Sequence, residues 1–147
     1  MSDYPKWWDT TVTVYNRYED PQTQVITWYK TVLDNCFWKN NFQRLKVGQT
    51  EVETDSVICR IPINDAFKEK YSWINIPNYQ MNNYFTLDRG DIIAKGNIEE
   101  DIVEYQSGKR SSDFIAKYKS SGCMVIDSVN INDYTGVGIP HYHVEGV

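Results

Sequence analysis

The sequence predicts a mainly β protein: a small antiparallel β-barrel or sandwich of about seven strands, with one or two short helices and a long loop insertion. Three observations predict it. Aromatic residues make up 14% of the 147-residue chain, eleven Tyr and five Trp among them, and both types favour strands. Runs such as residues 10–15 and 123–131 alternate apolar and polar residues, the period of a half-buried strand. Turn formers separate these runs, as in the Glu19-Asp20-Pro21-Gln22-Thr23 stretch. No internal repeat or low-complexity linker interrupts the chain, so residues 1–147 read as one β-rich domain, with an extended arm at 1–8 and an irregular insertion at 64–83.

The first strand is Thr10-Thr11-Val12-Thr13-Val14-Tyr15, with Val12 and Val14 on one face. After the proline turn, residues 25–39 continue as a strand rich in β-branched and aromatic residues. Asp34-Asn35 in its middle predicts a bulge or bend, because both side chains prefer local hydrogen bonds to the ladder. Residues 42–47 and 50–61 read as a second hairpin across Gly48-Gln49, and Pro62 ends it. Asn64 is placed to cap about two helical turns over residues 65–71. Residues 73–76 read as extended before Pro77, and 78–83 as a polar loop. Tyr84 to Gly96 then reads as a tight turn, a short buried strand and a glycine stop. Gly90, Asp91 and Gly96 are its structural residues, Gly90 supplying positive φ and Asp91 bonding nearby amides. Residues 98–105 fit a short amphipathic helix and an irregular strand equally. Ser112 can cap a helix over 113–119, ended by Ser121-Gly122. Residues 123–131 form a strand with Cys123, Val125, Val129 and Ile131 inward. A loop at 132–140 leads to a last strand at 141–147.

The chemistry-bearing residues form no catalytic pattern. His141 and His143 share a strand face but lack the third and fourth ligands a metal needs. Glu99, Glu100, Asp101 and Glu104 read as a solvated charged face, with a small hydrolase built on Glu104 as a remote alternative. No GxSxG elbow, P-loop or GxGxxG occurs. Cys36, Cys59 and Cys123 are odd in number and lack zinc or CxxC spacing, so they read as buried thiols in a reducing compartment. No catalytic residue, cofactor or metal is therefore expected. Arg89-Gly90-Asp91 spells an adhesion tripeptide, but turn chemistry accounts for it.

The remaining signal is aromatic. Trp28 and Trp38 fall in strand patterns and read as core. Trp7, Trp8, Trp73, Tyr79 and Tyr84 fall in the arm or irregular segments and are the candidate partner-interface residues; covering the ends of a barrel would explain them equally. The net charge of -5 argues against a general nucleic-acid binder. No apolar run approaches the roughly 18 residues of a membrane span, and the first residues lack the pattern of a secretory leader. The expectation is a soluble protein made in a cytoplasm, with no membrane partner.

Five segments carry a resemblance: Trp8-Asp9-Thr10-Thr11-Val12-Thr13-Val14-Tyr15-Asn16, Asn35-Cys36-Phe37-Trp38, Cys59-Arg60-Ile61-Pro62, Tyr84 to Gly96, and His141-Tyr142-His143-Val144-Glu145-Gly146-Val147. Through them the chain resembles a family of small structural proteins of prophages and tailed phages of Gram-positive bacteria. Leu87 to Gly96, followed by Met124 to Val129, is also similar to the core of head-closure proteins, or stoppers. The resemblance implies a non-enzymatic virion protein of the neck, a subunit of a homo-oligomeric, hexameric ring. Its implied neighbours are a portal or adaptor protein above and a tail terminator or tail tube protein below, with packaged DNA passing through unbound. The longer N-terminal β region and the 64–83 insertion depart from the simplest stoppers. They leave open another head–tail connector, tail-completion or minor capsid role. A carbohydrate- or receptor-binding β module is the reading from a different class.

Overall fold

The computed structural model describes residues 8–47, 50–132 and 140–147, with the side chains of 41–55 and 78–79 outside that description. The alternation at the start of the chain produces β1 (Thr10–Glu19), which pairs antiparallel with β2 (Ile26–Val47). β3 (Thr50–Pro62) returns along β2. Later come β4 (Ile92–Lys95), β5 (Cys123–Asn132) and β6 (His141–Gly146). The six strands close into a barrel in the order β1-β2-β3-β6-β5-β4, and β4 pairs back onto β1. The predicted antiparallel barrel is the observed fold. Among the described residues it has six strands, against the expected seven or so, because residues 42–47 continue β2 instead of forming a strand of their own.

Val12 and Val14 point into the barrel, as their alternation predicts, and join Leu33, Cys36, Ile93 and Val144 in the main core. Tyr15 faces the other way. It starts a second core with Ile92, Ala94, Ile102, Phe114 and Cys123 on the outside of the sheet. That second core lies beneath α2 (Ser111–Tyr118). Phe114 projects from α2 to meet Tyr15 edge-on at 4.7 Å.

Two bulges set which residues face inward. Opposite Thr10 and Val12 the register slips on β2, and Asn35 takes φ of 61°. This is the irregularity expected from Asp34-Asn35, and Asp34 accepts a hydrogen bond from Thr11. It lets Leu33 and Cys36, three residues apart, both face the core. The second slip lies between Ile126 and Ser128 on β5. It corrects the expected facing of that strand. Met124 and Ile126 point into the barrel, while Cys123 and Val125 lie on the α2 side. One extra residue inverts a period-2 pattern, so Val129 faces the main core only after the bulge. Ile131 is exposed near the strand end.

The insertion corrects three expectations. Asn64 spends its side chain on the Ala66 amide, and Phe67 then forms a parallel bridge to Phe85. No helix forms over 65–71. α1 is a single turn at Lys70–Trp73, and Asn78–Asn83 is a 3-10 helix instead of loop. Residues 73–76 are consequently not extended. Tertiary docking of Phe67 against Phe85 and Tyr142 outweighs local propensity here. Residues 98–105 are neither helix nor strand. The segment is tied to the outer face of β1, where Ile98 N–H donates to Thr13 Oγ1 and Tyr15 O–H donates to the Glu100 carbonyl. α2 starts two residues before the expected range, so Ser112 lies inside it instead of capping it; Arg110 takes the cap position, and the Asp113 carboxylate accepts from the Arg110 amide. It ends as expected, with Gly122 at φ of 120°.

The seam between β5 and β6 is unusually close. A Cβ built on Gly146 would collide with the Val125 carbonyl oxygen. Replacing Gly146 with Ala forces these backbones apart, and overpacking of this kind costs about 3 kcal/mol. The Gly146→Ala variant is expected to melt well below the wild type in a thermal unfolding scan. An unchanged melting temperature would show that the seam is not this tight.

Candidate interaction surfaces

The segment 84–96 is positioned by one buried carboxylate. Asp91 is 1% exposed and accepts three hydrogen bonds: from the Arg17 amide at 2.9 Å, Asn16 Nδ2 at 3.0 Å and the Asp88 amide at 3.1 Å. Asn16 also donates to the Thr86 carbonyl and accepts from the Thr86 amide. Gly90, at φ of 95°, donates its amide to Ile126. Gly96, at φ of 103°, donates to Thr11. Gly90, Asp91 and Gly96 thus perform turn chemistry, and Asp91 is inaccessible to any receptor that would read an Arg-Gly-Asp tripeptide.

Burial pushes the Asp91 carboxyl up to about 6, against the pull of the Arg17 amide, the Lys70 ammonium and Asn16. An unfolded Asp titrates near 4. The folded state therefore binds this proton more readily, and its contribution is fully present below pH 4 and lost as pH rises through 6.

Most residues that could support catalysis are engaged in holding the fold. Glu104 accepts from Trp28 Nε1 at 2.6 Å through one oxygen and from Ser111 Oγ at 3.0 Å through the other. It clamps β2 to α2. Glu100 pairs with Lys117 at 3.0 Å, and Asp101 with Lys30 at 3.3 Å. The expected solvated face is thus kept by Glu99 and Asp101, which are exposed, while Glu100 and Glu104 are half-buried and tether segments. His143 contacts Glu145 at 3.0 Å, and His141 contacts Asn132 at 3.2 Å. Among the described residues no group of three or more His, Cys, Asp or Glu could hold a metal ion. Burial holds the Cys36 thiol up at about 12, the Cys123 thiol at about 11, and the Cys59 thiol well above its ordinary value. All three are free and buried, which suppresses the nucleophilic thiolate.

The candidate interface residues separate. Trp73 is fully buried between Tyr18 and Tyr29, with the Lys70 ammonium 4.9 Å from its ring centre. Trp8 is also buried and meets His141 edge-on at 5.5 Å. Neither ring is available to a partner in this conformation. The reason is that α1 folds the insertion back onto β1 and β2, while Trp8 packs where β6 begins. Tyr84 is half-buried beside Lys68 at 5.1 Å. Trp7 lies outside the described residues, as does the Tyr79 side chain.

Other residues supply the exposed surface. Tyr71 is 79% exposed and Tyr105 63%. Tyr105 stands beside an open groove between residues 25–30 and 101–105, with Trp28 and Val103 on its walls. A second groove adjoins it on the far side of Trp28 and Glu104, walled by Arg17, Arg89 and Ile115. Tyr71 is missed by helical reasoning over 65–71, since the real helix starts only at Lys70.

A further feature is a stretch of backbone. β2 pairs with β1 only as far as Cys36, and β3 pairs with β6 only from Val57 onward. Beyond those points β2 and β3 pair with each other, from Asn41↔Ser56 to Val47↔Thr50. They form a two-stranded ribbon standing off the barrel. The model of a family of unknown function, DUF6751, matches residues 7–147, nearly the whole chain. No curated protein and no solved structure matches it.

Two outcomes are expected. The difference in urea-unfolding stability between wild type and Asp91→Asn should change by roughly 2 kcal/mol between pH 4.5 and 7.5, the wild type losing ground as pH rises; a pH-independent difference contradicts the raised carboxyl. At pH 8 the native protein should react with a thiol reagent orders of magnitude more slowly than the urea-unfolded chain, and rapid labelling of the native state would contradict the burial of the three cysteines.

Proposed function

We propose that this chain, which belongs to the DUF6751 family, is a non-enzymatic structural protein of the tailed-phage virion. In this reading it is a head-closure ring subunit in the neck, between the portal–adaptor complex and the tail terminator or tail tube. The observation that carries the reading is a closed barrel from which a β-ribbon projects. The barrel offers a rigid body, and the ribbon offers an arm with open strand edges to a neighbour. The five sequence segments named above supply the phage context by resemblance.

The chemistry is compatible with that role. Asp91, Glu100 and Glu104 hold segments of the fold together, and the three thiols are buried. A net charge of -5 suits a subunit past which DNA moves without being gripped, because tight phosphate binding requires clustered cations. A ring repeats one heterologous contact, so each subunit presents two different complementary patches.

Deleting the gene is expected to leave heads that package DNA but neither retain it nor receive tails. Reconstruction of intact particles by electron cryomicroscopy should place the protein at the portal vertex. Normal infectious particles from the deletion, or a position at the tail tip, would remove the neck assignment; the tail-tip result would favour a receptor-binding module.

A further inference from the structure

We propose that the β2–β3 ribbon is a self-assembly arm, in which the outer edge of the β2 half pairs strand to strand with the outer edge of the β3 half of a second copy of this chain. The inference deepens the ring reading above and rests on it for the biological setting. It identifies the two patches that a repeating contact requires.

The first observation is topological. Barrel closure pairs the strands on both sides through most of the sheet. The ribbon is where this stops. Seven residue pairs, Asn41↔Ser56 to Val47↔Thr50, have only each other among the described strands. At about 3.3 Å per residue they extend roughly 23 Å. Among the described strands each outer edge has no partner, so its backbone N–H and C=O groups are a template for another strand. A two-stranded ribbon alone is marginally stable in water, and a third strand relieves that.

The second observation selects the occupant. The β2 half, residues 41–47, carries Arg44 and Lys46 and no acid. The β3 half, residues 50–56, carries Glu51, Glu53 and Asp55 and no base. In register Arg44 lies opposite Glu53, and Lys46 opposite Glu51. The ribbon therefore has a basic strand and an acidic strand side by side. Charges scattered over both strands would merely keep edges apart. Segregated by strand, they repel a β2–β2 or β3–β3 contact and leave β2-to-β3 pairing favoured between copies. Such a contact is heterologous: each copy uses both edges, and repetition closes a ring when the rotation permits. The acidic half also disfavours nucleic acid as the occupant.

The test exchanges the charges. The quadruple variant Arg44→Glu, Lys46→Glu, Glu51→Lys, Glu53→Lys keeps opposite charges across the ribbon but inverts both edges. It is expected to self-associate as the wild type does, measured at low salt by native mass spectrometry and sedimentation. Mixed with mass-labelled wild type, it should form hetero-oligomers at least tenfold below the statistical proportion. Arg44→Glu/Lys46→Glu and Glu51→Lys/Glu53→Lys should each stay monomeric, and combining the two should restore assembly. Free mixing of the quadruple variant with wild type overturns the proposal. So does a wild type that stays monomeric at several hundred micromolar, which would assign the ribbon to a different protein. The neck reading is judged separately by the position of the protein in the particle. A neck protein whose variants mix freely keeps that reading and loses this one, and selective assembly by a protein absent from the neck does the reverse.

Discussion

Closure of the barrel depends on Asp91. β4 has only four residues, yet it must pair with β1 on one side and β5 on the other. So short a strand cannot locate itself by ladder hydrogen bonds alone. The Asp91 carboxylate, immediately before β4, accepts from the Arg17 amide and the Asn16 side chain on β1 and from the Asp88 amide of its own turn. It fixes the entry of β4 against β1 before the strand begins. Burying a charge is costly unless it is well bonded, and burial pushes this carboxyl up despite its three hydrogen bonds. The same turn supplies the Gly90 amide to Ile126 and the Asp91 carbonyl to the Ile126 amide, which brings in β5. One residue thus organises both seams of the shortest strand.

Closure has a second consequence on the outer face. β1 sends Val12 and Val14 into the barrel and presents Thr13 and Tyr15 outward. Those outward groups bind an irregular segment, through the Ile98 amide and the Glu100 carbonyl, instead of another strand. The segment in turn delivers Ile102 to the second core and Glu104 to Trp28 and Ser111. The acidic stretch at 99–104 therefore fastens an outer layer onto the barrel. Glu100 and Glu104 take part in that fastening through Lys117, Trp28 and Ser111.

Legibility in the sequence followed how local the cause was. Positive φ at Gly90, the end of α2 at Gly122 and the irregularity at Asp34-Asn35 arise from one or two residues, and they could be read directly. The alternation of β1 could be read too, because no bulge interrupts it between Val12 and Glu19. β5 misled because the slip beside Asp127 changes the phase of its pattern without any glycine or proline to mark it. Residues 64–83 misled because Phe67 gains more from Phe85 and Tyr142 than from a helix, and that gain depends on contacts far along the chain. Trp8 and Trp73 lie in irregular segments that fold back onto the barrel, so irregularity of sequence was a poor guide to exposure.

In the proposed self-assembly the ribbon is where barrel closure and association meet. A closed barrel is protected against edge pairing because its strands have neighbours on both sides. A protein that must join copies of itself through strands then needs an edge outside the barrel. Extending β2 and β3 past Cys36 and Val57 supplies two such edges without opening a seam. The barrel end of the ribbon stays anchored by Trp38↔Cys59 and its neighbours, where β3 still pairs with β6. Each added backbone hydrogen bond contributes about 1 kcal/mol net, while association costs at least several kcal/mol. A single edge contact is accordingly weak, and a contact repeated around a closed ring gains because every copy is held on both sides. The charge segregation then matters more for choosing the partner than for holding it, since exposed ion pairs contribute little energy but like charges laid directly opposite are disfavoured.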